Sequence, residues 1–380
     1  MHLYLVITLS LWVVVLATTL LNLALIPRIE PPPDGGPEPL VSVVIPARDE
    51  ERSIERTVRA FLAQRYSALE VIVVDDRSTD ATGAILARIA AEDPRLIVVK
   101  GEEPPPGWLG KPAALHRGSQ HAHGELLLFV DADITYAPDA IRAAVAHMQR
   151  ANLTMVALLP YFEMETLGEK IGMPQLAMSV LAFMPTFLFN RTRIARFGIG
   201  GGTGNLIRRD AYEAFGRHEE LRDAVIDDVS LARIVRQHGG TSEAVLADHL
   251  VSVRMYHGLR EVIEGFTKNG FVVFGRSIII TLIIVVFTFA LHIVPYALIF
   301  LPSTRILAVA IVAIITLTRV ILFRSLRYGM ANALLFHAPM TLMWAYIFLR
   351  SMWITGIRGE LHWRGRKYDA ASTQFGAERR

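Results

Sequence analysis

The chain has 380 residues, a formal net charge of +3 and no cysteine, which excludes disulfides, thiolate metal sites and a cysteine nucleophile. A hydrophobic share of 52% and a mean hydropathy of +0.37 are too apolar for an ordinary soluble enzyme, so one catalytic domain plus several membrane segments is expected. Arginine collects at 191–209, 319–327 and 358–380, beside apolar stretches. Such clusters suit lipid headgroups or phosphates better than nucleic acid, and a positive-inside topology signal explains them equally well.

Residues 3–26 are almost wholly apolar and long enough to cross a bilayer. Their front lacks Lys or Arg and no small-residue cleavage pattern comes after them, so a membrane anchor is expected over 1–27 rather than a signal peptide. Arg28 favours a cytoplasmic location for the residues after the anchor. The Pro-rich stretch 28–40 forms neither helix nor strand and is expected to be an extended linker. From 41 the pattern changes. Val41–Ile45, Glu70–Val74, Leu96–Val99, Leu126–Val130 and Met155–Leu159 are short runs of Val, Ile and Leu. Stretches of helical period separate them, at Glu50–Gln64, Ala81–Ala91, Ala113–His121 and 138–149. This alternation predicts an α/β domain over 41–276, a doubly wound, mostly parallel nucleotide-binding sheet. Neither the dinucleotide fingerprint nor a P-loop is present.

Residues 171–199 are rich in Met and Phe, broken by Pro174 and Pro185, and carry Arg191, Arg193 and Arg196 at their end. Two readings stand, an interfacial membrane segment and a buried helix pair. Three more apolar stretches lie at 277–301, 306–323 and 333–353, giving a C-terminal membrane region over 277–355 and a basic tail over 356–380. The connector Arg324–Arg327 and the tail both favour the cytoplasmic side, which three full crossings do not allow. One stretch is therefore expected to be re-entrant, interfacial or split near Pro295.

The chemistry concentrates where strands end. The run Leu126–Val130 stops at Asp131-Ala-Asp133. Ligands of an open α/β sheet bind outside the carboxyl ends of its strands, and two adjacent carboxylates there call for a cation. Mg²⁺ and Mn²⁺ both accept such oxygen ligands together with substrate phosphates. The first strand ends in Pro46-Ala47-Arg48-Asp49-Glu50 and the second in Asp75-Asp76, groups suited to hydrogen-bonding a base or ribose. Lys111 stands after a Gly-bounded turn at a helix start, where it reads as a diphosphate ligand or as a solvated lysine. Gly200–Gly204 and Asn205 allow close backbone approach to a ligand or form a surface loop. Asp227 and Asp228 open a helix, as caps or as a general base.

Taken in order, Ile-Pro-Ala-Arg-Asp-Glu, Val-Asp-Asp-Arg-Ser-Thr-Asp, Gly-Lys-Pro-Ala-Ala-Leu, Val-Asp-Ala-Asp, Gly-Thr-Gly-Asn-Leu-Ile-Arg-Arg and Asp-Asp-Val-Ser-Leu-Ala resemble the family 2 glycosyltransferases, inverting enzymes of GT-A fold. The resemblance covers roughly 41–270 and, with the membrane segments, is most similar to the membrane-bound hopanoid-associated and carotenoid glycosyltransferases. It implies that Asp76 and Asp75 contact the nucleotide base, with Pro46, Ala47 and Glu50 in the same pocket. Lys111 is implied near the diphosphate, and Asp131 and Asp133 as the motif holding ribose and a divalent metal. Asp228 is implied as the base, with Asp227 in place of the family's glutamate. The Gln/Arg-x-x-Arg-Trp acceptor motif of the family's polymerising and ceramide-type members is missing, since the corresponding region reads Val253–Arg260 without a tryptophan, which argues against processive polymer synthesis. Arg254, Tyr256, Lys268 and Asn269 are the local acceptor or phosphate candidates, and Arg364 and Arg366 are further ones in the tail.

The expected reaction is an inverting, metal-dependent transfer from a nucleotide-sugar, UDP by resemblance, to a membrane lipid. The expected setting is the cell (inner) membrane, multi-pass, with the catalytic domain cytoplasmic. Rival readings are a polyprenyl-phosphate glycosyltransferase, a nucleotidyltransferase, and a non-catalytic module that binds sugar nucleotides at the membrane.

Overall fold

The computed structural model describes residues 1–32, 36–363 and 366–369. The chain divides into two compact units that interleave along the sequence. One contains Pro27–Glu163 and Phe189–Met255, and the other contains Met1–Ile26, Met164–Leu188 and the helices from Tyr256 onward.

The first unit is built on a seven-stranded sheet. Its strands are β1 (Val41–Ala47), β2 (Leu69–Asp75), β3 (Leu96–Lys100), β4 (Leu126–Phe129), β6 (Met155–Leu159), β8 (Asn205–Arg208) and β9 (Ser242–Leu246). A small second sheet holds β5 (Ile134–Tyr136), β7 (Tyr161–Phe162) and β10 (Val251–Val253). The large sheet runs in the order β3-β2-β1-β4-β8-β6-β9, parallel except for β8, which is antiparallel to both β4 and β6. The five apolar runs read from the sequence are β1, β2, β3, β4 and β6.

Both faces of the sheet are covered. Val41, Val43 and Ile45 point to a core shared with the helices Ile54–Leu62 and Ala140–Arg150, through Phe61, Ile141 and Val145. Val44, Ile72, Val74, Leu127 and Phe129 point to the opposite core, with Leu115 of Gly110–Gln120 and Leu231 of Asp227–Gln237. Alternation within β1 thus serves two buried faces, which is why its sequence reads as a continuous apolar run. Each such side chain contributes about 1.5–3 kcal/mol by leaving water. The one polar intruder in β1 is satisfied, because Ser42 Oγ accepts from the Gly124 amide at 2.7 Å.

The linker starts at the edge of this sheet. Ile29 N donates to Leu246 O at 3.1 Å, Leu246 N donates to Pro27 O at 2.8 Å, and Arg28 lies 3.3 Å from Asp248. The linker also ends pinned, with Tyr66 Oη donating to Pro39 O at 2.6 Å.

The second unit is helical. Among the described residues three of its helices are long and apolar enough to cross a membrane, His2–Leu25, Ile278–Leu298 and Arg305–Ser325. Leu5 and Trp12 of the first pack on Ile311 and Ile315 of the last. The stretch 333–353 is not one helix. It divides at Phe336 into Met330–Leu335 and His337–Ser351, and the latter buries Met340, Trp344 and Ile347. Within 164–188, Met173, Met178 and Leu181 are buried, and the Asn22 amide donates to Leu181 O and Met184 O at 3.0 and 2.7 Å. Phe183, Met184 and Leu188, by contrast, are exposed.

Candidate active site

Two clusters of the expected residues form at the carboxyl ends of the strands. The first lies where β1 and β2 stop side by side, in a register that pairs Ala47 with Asp75. Asp76 N donates to Ala47 O at 2.7 Å, which fixes the two loops together next to Pro46. The chain then turns through Arg77, whose φ is +58°. That turn directs Asp75 Oδ1 to the Ser78 amide at 3.1 Å, and Glu50 Oε2 accepts from Ser53 Oγ at 3.0 Å. Both carboxylates thus serve their own loops. Asp76 is held differently, between Arg48 (3.8 Å) and Arg77 (3.4 Å), and borders a cleft with Gly101, Trp108, His116 and Arg117. The rings of Trp108 and His116 lie 5.1 Å apart, and burial lowers the His116 pKa, so the cleft offers a neutral aromatic wall beside a carboxylate. Trp108 and His116 were not singled out from sequence, although Trp108 sits inside the Gly-bounded turn that drew attention to Lys111.

The second cluster joins Lys111, Asp131, Asp227 and Asp228. Lys111 Nζ lies 2.7 Å from Asp131 Oδ1 and 3.2 Å from Asp227 Oδ1. A lysine in the first turn of Gly110–Gln120 opposes that helix's dipole, so the carboxylates must hold it there. Burial works to lower its pKa, but Asp131, Asp227 and Asp228 outweigh it and keep the ammonium charged well above the ordinary range. Asp227 is itself buried, and that burial, with Asp228 and Asp131 adding to it against Lys111, pushes its carboxyl up to about 6. Asp228, also in the first turn of Asp227–Gln237, is more exposed, and its Oδ1 accepts from the Val229 amide at 2.7 Å.

The glycine-rich loop braces this cluster. Asp131 N donates to Gly202 O at 2.7 Å, and any Cβ on Gly202 would overlap the Asp131 carboxylate. Gly204 has φ +151°, and a side chain there would run into the Tyr136 hydroxyl. Asn205 is buried at the start of β8. Its Oδ1 accepts from Gly201 N and its Nδ2 donates to Asp228 O, both at 3.2 Å, so its amide ties the loop to the backbone of the candidate base.

Asp133 is half-buried just before β5. β10 runs antiparallel to β5 with Val253 opposite Ile134, so by register Arg254 is the residue facing Asp133. Tyr256 and Lys268 belong to the helical unit. Arg364 and the side chains of Asn269 and Arg366 lie outside the described residues.

Among the described residues no group of three His, Asp or Glu side chains forms a cage for a metal ion. The donor set at the end of β4 nevertheless fits a hard divalent ion, which takes one or two protein carboxylates and completes its shell with phosphate oxygens and water. The excess of carboxylates around Lys111 is a charge pattern that a further cation would relieve.

Residues 42–216 match the family model described as Glycosyl transferase family 2. A 4,4'-diaponeurosporenoate glycosyltransferase of Staphylococcus haemolyticus is 26% identical over 234 residues, which cover 60% of this chain and 60% of that protein. One of the same name from Staphylococcus aureus is 24% identical over 342 residues, covering 88% of this chain and 89% of that protein. Among solved structures, a mannosyltransferase of Pyrobaculum calidifontis in complex with GDP-Man and Mn²⁺ superposes with a TM-score of 0.56 at 20% identity, covering 93% of this chain and 99% of that one. The sheet unit therefore has the GT-A fold that its motifs led us to expect.

Proposed function

We propose that this chain, whose residues 42–216 form a glycosyl transferase family 2 domain, moves a sugar from a nucleotide-sugar to a carotenoid-type or other lipid acceptor in the membrane. The observation that carries the reading is the cluster at the strand ends, where one ammonium sits between two carboxylates and beside a third. In this reading the base lies in the cleft bordered by Asp76, with Pro46 and Ala47 at its floor and Glu50 and Asp75 shaping the loops. Lys111 meets the diphosphate. Asp131 and Asp133 would hold a divalent ion, which would supply Lewis-acid neutralisation of the diphosphate. Arg254, opposite Asp133 by register, offers a further contact for phosphate or acceptor. Gly204 and Asn205 set the loop that holds Asp228 in position.

Asp228 is the base we assign, supported by its being less buried than Asp227 and by its place in the first turn of a helix at the strand ends. Asp227 is engaged with Lys111 and holds it toward Asp131. An acceptor hydroxyl gives its proton to Asp228 as its oxygen bonds the anomeric carbon. The bond to the diphosphate breaks on the opposite face, the nucleoside diphosphate leaves, and configuration inverts.

The lipid acceptor is supported by the three apolar helices and by the Staphylococcus relatives. One crossing before the sheet unit and two after it leave Arg28, the sheet unit and Arg324–Arg327 on one side, the cytoplasmic one by the positive-inside rule. A domain division at 1–27, 28–40, 41–276, 277–355 and 356–380 remains our working description of the linear sequence.

The test is incubation of membranes containing the full chain with radiolabelled UDP-glucose, UDP-GlcNAc and GDP-mannose, with and without Mg²⁺ or Mn²⁺, and then lipid extraction. Label in an organic-soluble product, lost in Asp228→Asn, is the expected result. No labelled lipid with any donor defeats the proposal. A second reading has one observation in its favour, that the relatives' acceptor is by name a carboxylate. An acceptor already ionised has no proton for Asp228 to take, and Asp228→Asn then keeps most of its activity.

A further inference from the structure

Between Glu264 and Glu360 the sequence contains no Asp or Glu, yet Arg319 stands within the apolar helix Arg305–Ser325 and is 1% exposed. One edge of its guanidinium is accounted for. Nε donates to Ala333 O at 3.0 Å and Nη2 donates to Asn332 O at 2.6 Å, carbonyls in the short helix Met330–Leu335. The other edge is not. Nη1 faces the thioether sulfurs of Met178 and Met340 at 3.4 and 3.5 Å, which are weak acceptors. The Phe323 ring, 4.6 Å away, adds a cation–π contact but no counter-charge.

Two histidines stand within electrostatic reach of this cation. The rings of His292 and His337 stack at 5.2 Å, and Trp12 packs edge-on against His292 at 5.0 Å. Nδ1 of His292 and Oδ1 of Asn332 are buried without a hydrogen-bond partner, and the buried His337 ring makes no well-formed hydrogen bond, only a loose contact with the His292 backbone. His337 opens a helix just past the break at Phe336, so the cluster lies beside interrupted backbone. At membrane depth such interruptions persist where they are buried in protein or line a site, and intramembrane ionisable groups mark binding or transport paths.

The chemistry of the cluster selects its ligand. A guanidinium and imidazole N–H groups are donors, and the nearby cation disfavours a metal ion on the histidines. Water alone would satisfy the imidazoles but leave the charge unanswered. We infer that Arg319, His292 and His337 form a binding site for an oxyanion carried on a membrane lipid, a carboxylate or a phosphate. The inference rests on the membrane reading of the helical unit but not on sugar transfer.

The experiment uses the full chain in phosphatidylcholine nanodiscs with no sugar nucleotide present. Radiolabelled hexadecanoate, hexadecyl phosphate and hexadecanol are compared as probes. At least one anion is expected to bind ten-fold or more tightly than the alcohol, and the order of the two anions identifies the source. Arg319→Gln is expected to erase the preference. Should that variant not fold, the double variant His292→Phe/His337→Phe carries the test and is expected to reduce the preference at least three-fold. Equal binding of all three probes, or a preference unchanged in the folded variant, overturns the site. Flotation of the chain with vesicles checks the membrane reading by itself, and a chain that does not float removes the lipid source without touching sugar transfer.

Discussion

Lys111 and Arg319 are both cations withdrawn from water, and the two units treat them in opposite ways. Lys111 has carboxylates at 2.7 and 3.2 Å, whereas Arg319 has carbonyls on one edge and sulfurs on the other. The histidines repeat the contrast. His218 of the sheet unit is buried, but its Nδ1 lies 2.6 Å from the Tyr212 hydroxyl, which in turn donates to Ser119 Oγ at 3.1 Å. His337 has no side-chain partner of this kind, only a loose contact with the His292 backbone. Buried polar groups are costly unless paired. Around Lys111 and His218 that pairing is supplied by the chain itself, whereas around Arg319 much of it is not.

The contrast can be broken at several points. The largest expected effect is on catalysis. Asp228→Asn should lower kcat/KM by about 10²–10⁴-fold, the usual contribution of a general base. Steady-state transfer assays check it, and a loss under about threefold would leave Asp228 without a base role.

Next is Lys111→Met, which removes the cation and leaves Asp131 facing Asp227. Breaking a fully buried pair costs about 3–5 kcal/mol. Asp131 is 38% exposed at its side chain, so a loss of about 2–3 kcal/mol is expected in denaturant unfolding. Adding Asp227→Asn should recover part of it, and no recovery would mean that the lysine acts through other contacts.

The third prediction concerns acid. Burial, with repulsion from His116 and Lys111, pushes the His218 pKa down from 6.5 to about 3. The unfolded chain therefore binds a proton there that the folded chain refuses. This contribution to stability is fully present above pH 6.5 and is lost as pH falls from 6.5 toward 3. Between pH 7 and 5 the loss is about 2 kcal/mol. Tm measured against pH should fall less steeply in His218→Gln than in the parent, and parallel curves would refute the assignment.

The smallest effect is Gly202→Ala. Its Cβ must displace the Asp131 carboxylate. Roughly tenfold lower activity is expected, with little change in Tm, as misplacement near a reacting centre costs rate before stability. Activity and Tm falling together would instead point to a folding defect.

Much of the sheet was legible because β1, β2, β3, β4 and β6 are apolar runs, the mark of strands buried on both faces. β8 and β9 were not. Asn205–Arg208 is short and ends in arginine, and Ser242–Leu246 opens with Ser-Glu, so neither forms an uninterrupted run. In the site, Asp131 and Asp228 were readable from their positions at a strand end and a helix start. The bridge from Lys111 to Asp227 was not, because nothing in a single sequence marks a contact between segments so far apart. Asp75 shows the reverse limit. A carboxylate at a strand end reads as a ligand, but here the left-handed turn at Arg77 brings the Ser78 amide to it first. In the helical unit apolar length was legible, and the interruption at Phe336 has its sequence cause in Pro339, which lacks the N–H that a continuous helix would give to Leu335 O.

The short pairing of Pro27 and Ile29 with Leu246 has a practical meaning. β9 is the outermost strand on its side of the sheet, and these residues occupy part of its open hydrogen-bonding edge. Bare edges invite other chains to add to them. A soluble fragment trimmed back to Val41 would uncover that rim and is expected to self-associate, whereas one beginning at Pro27 would keep its guard strand.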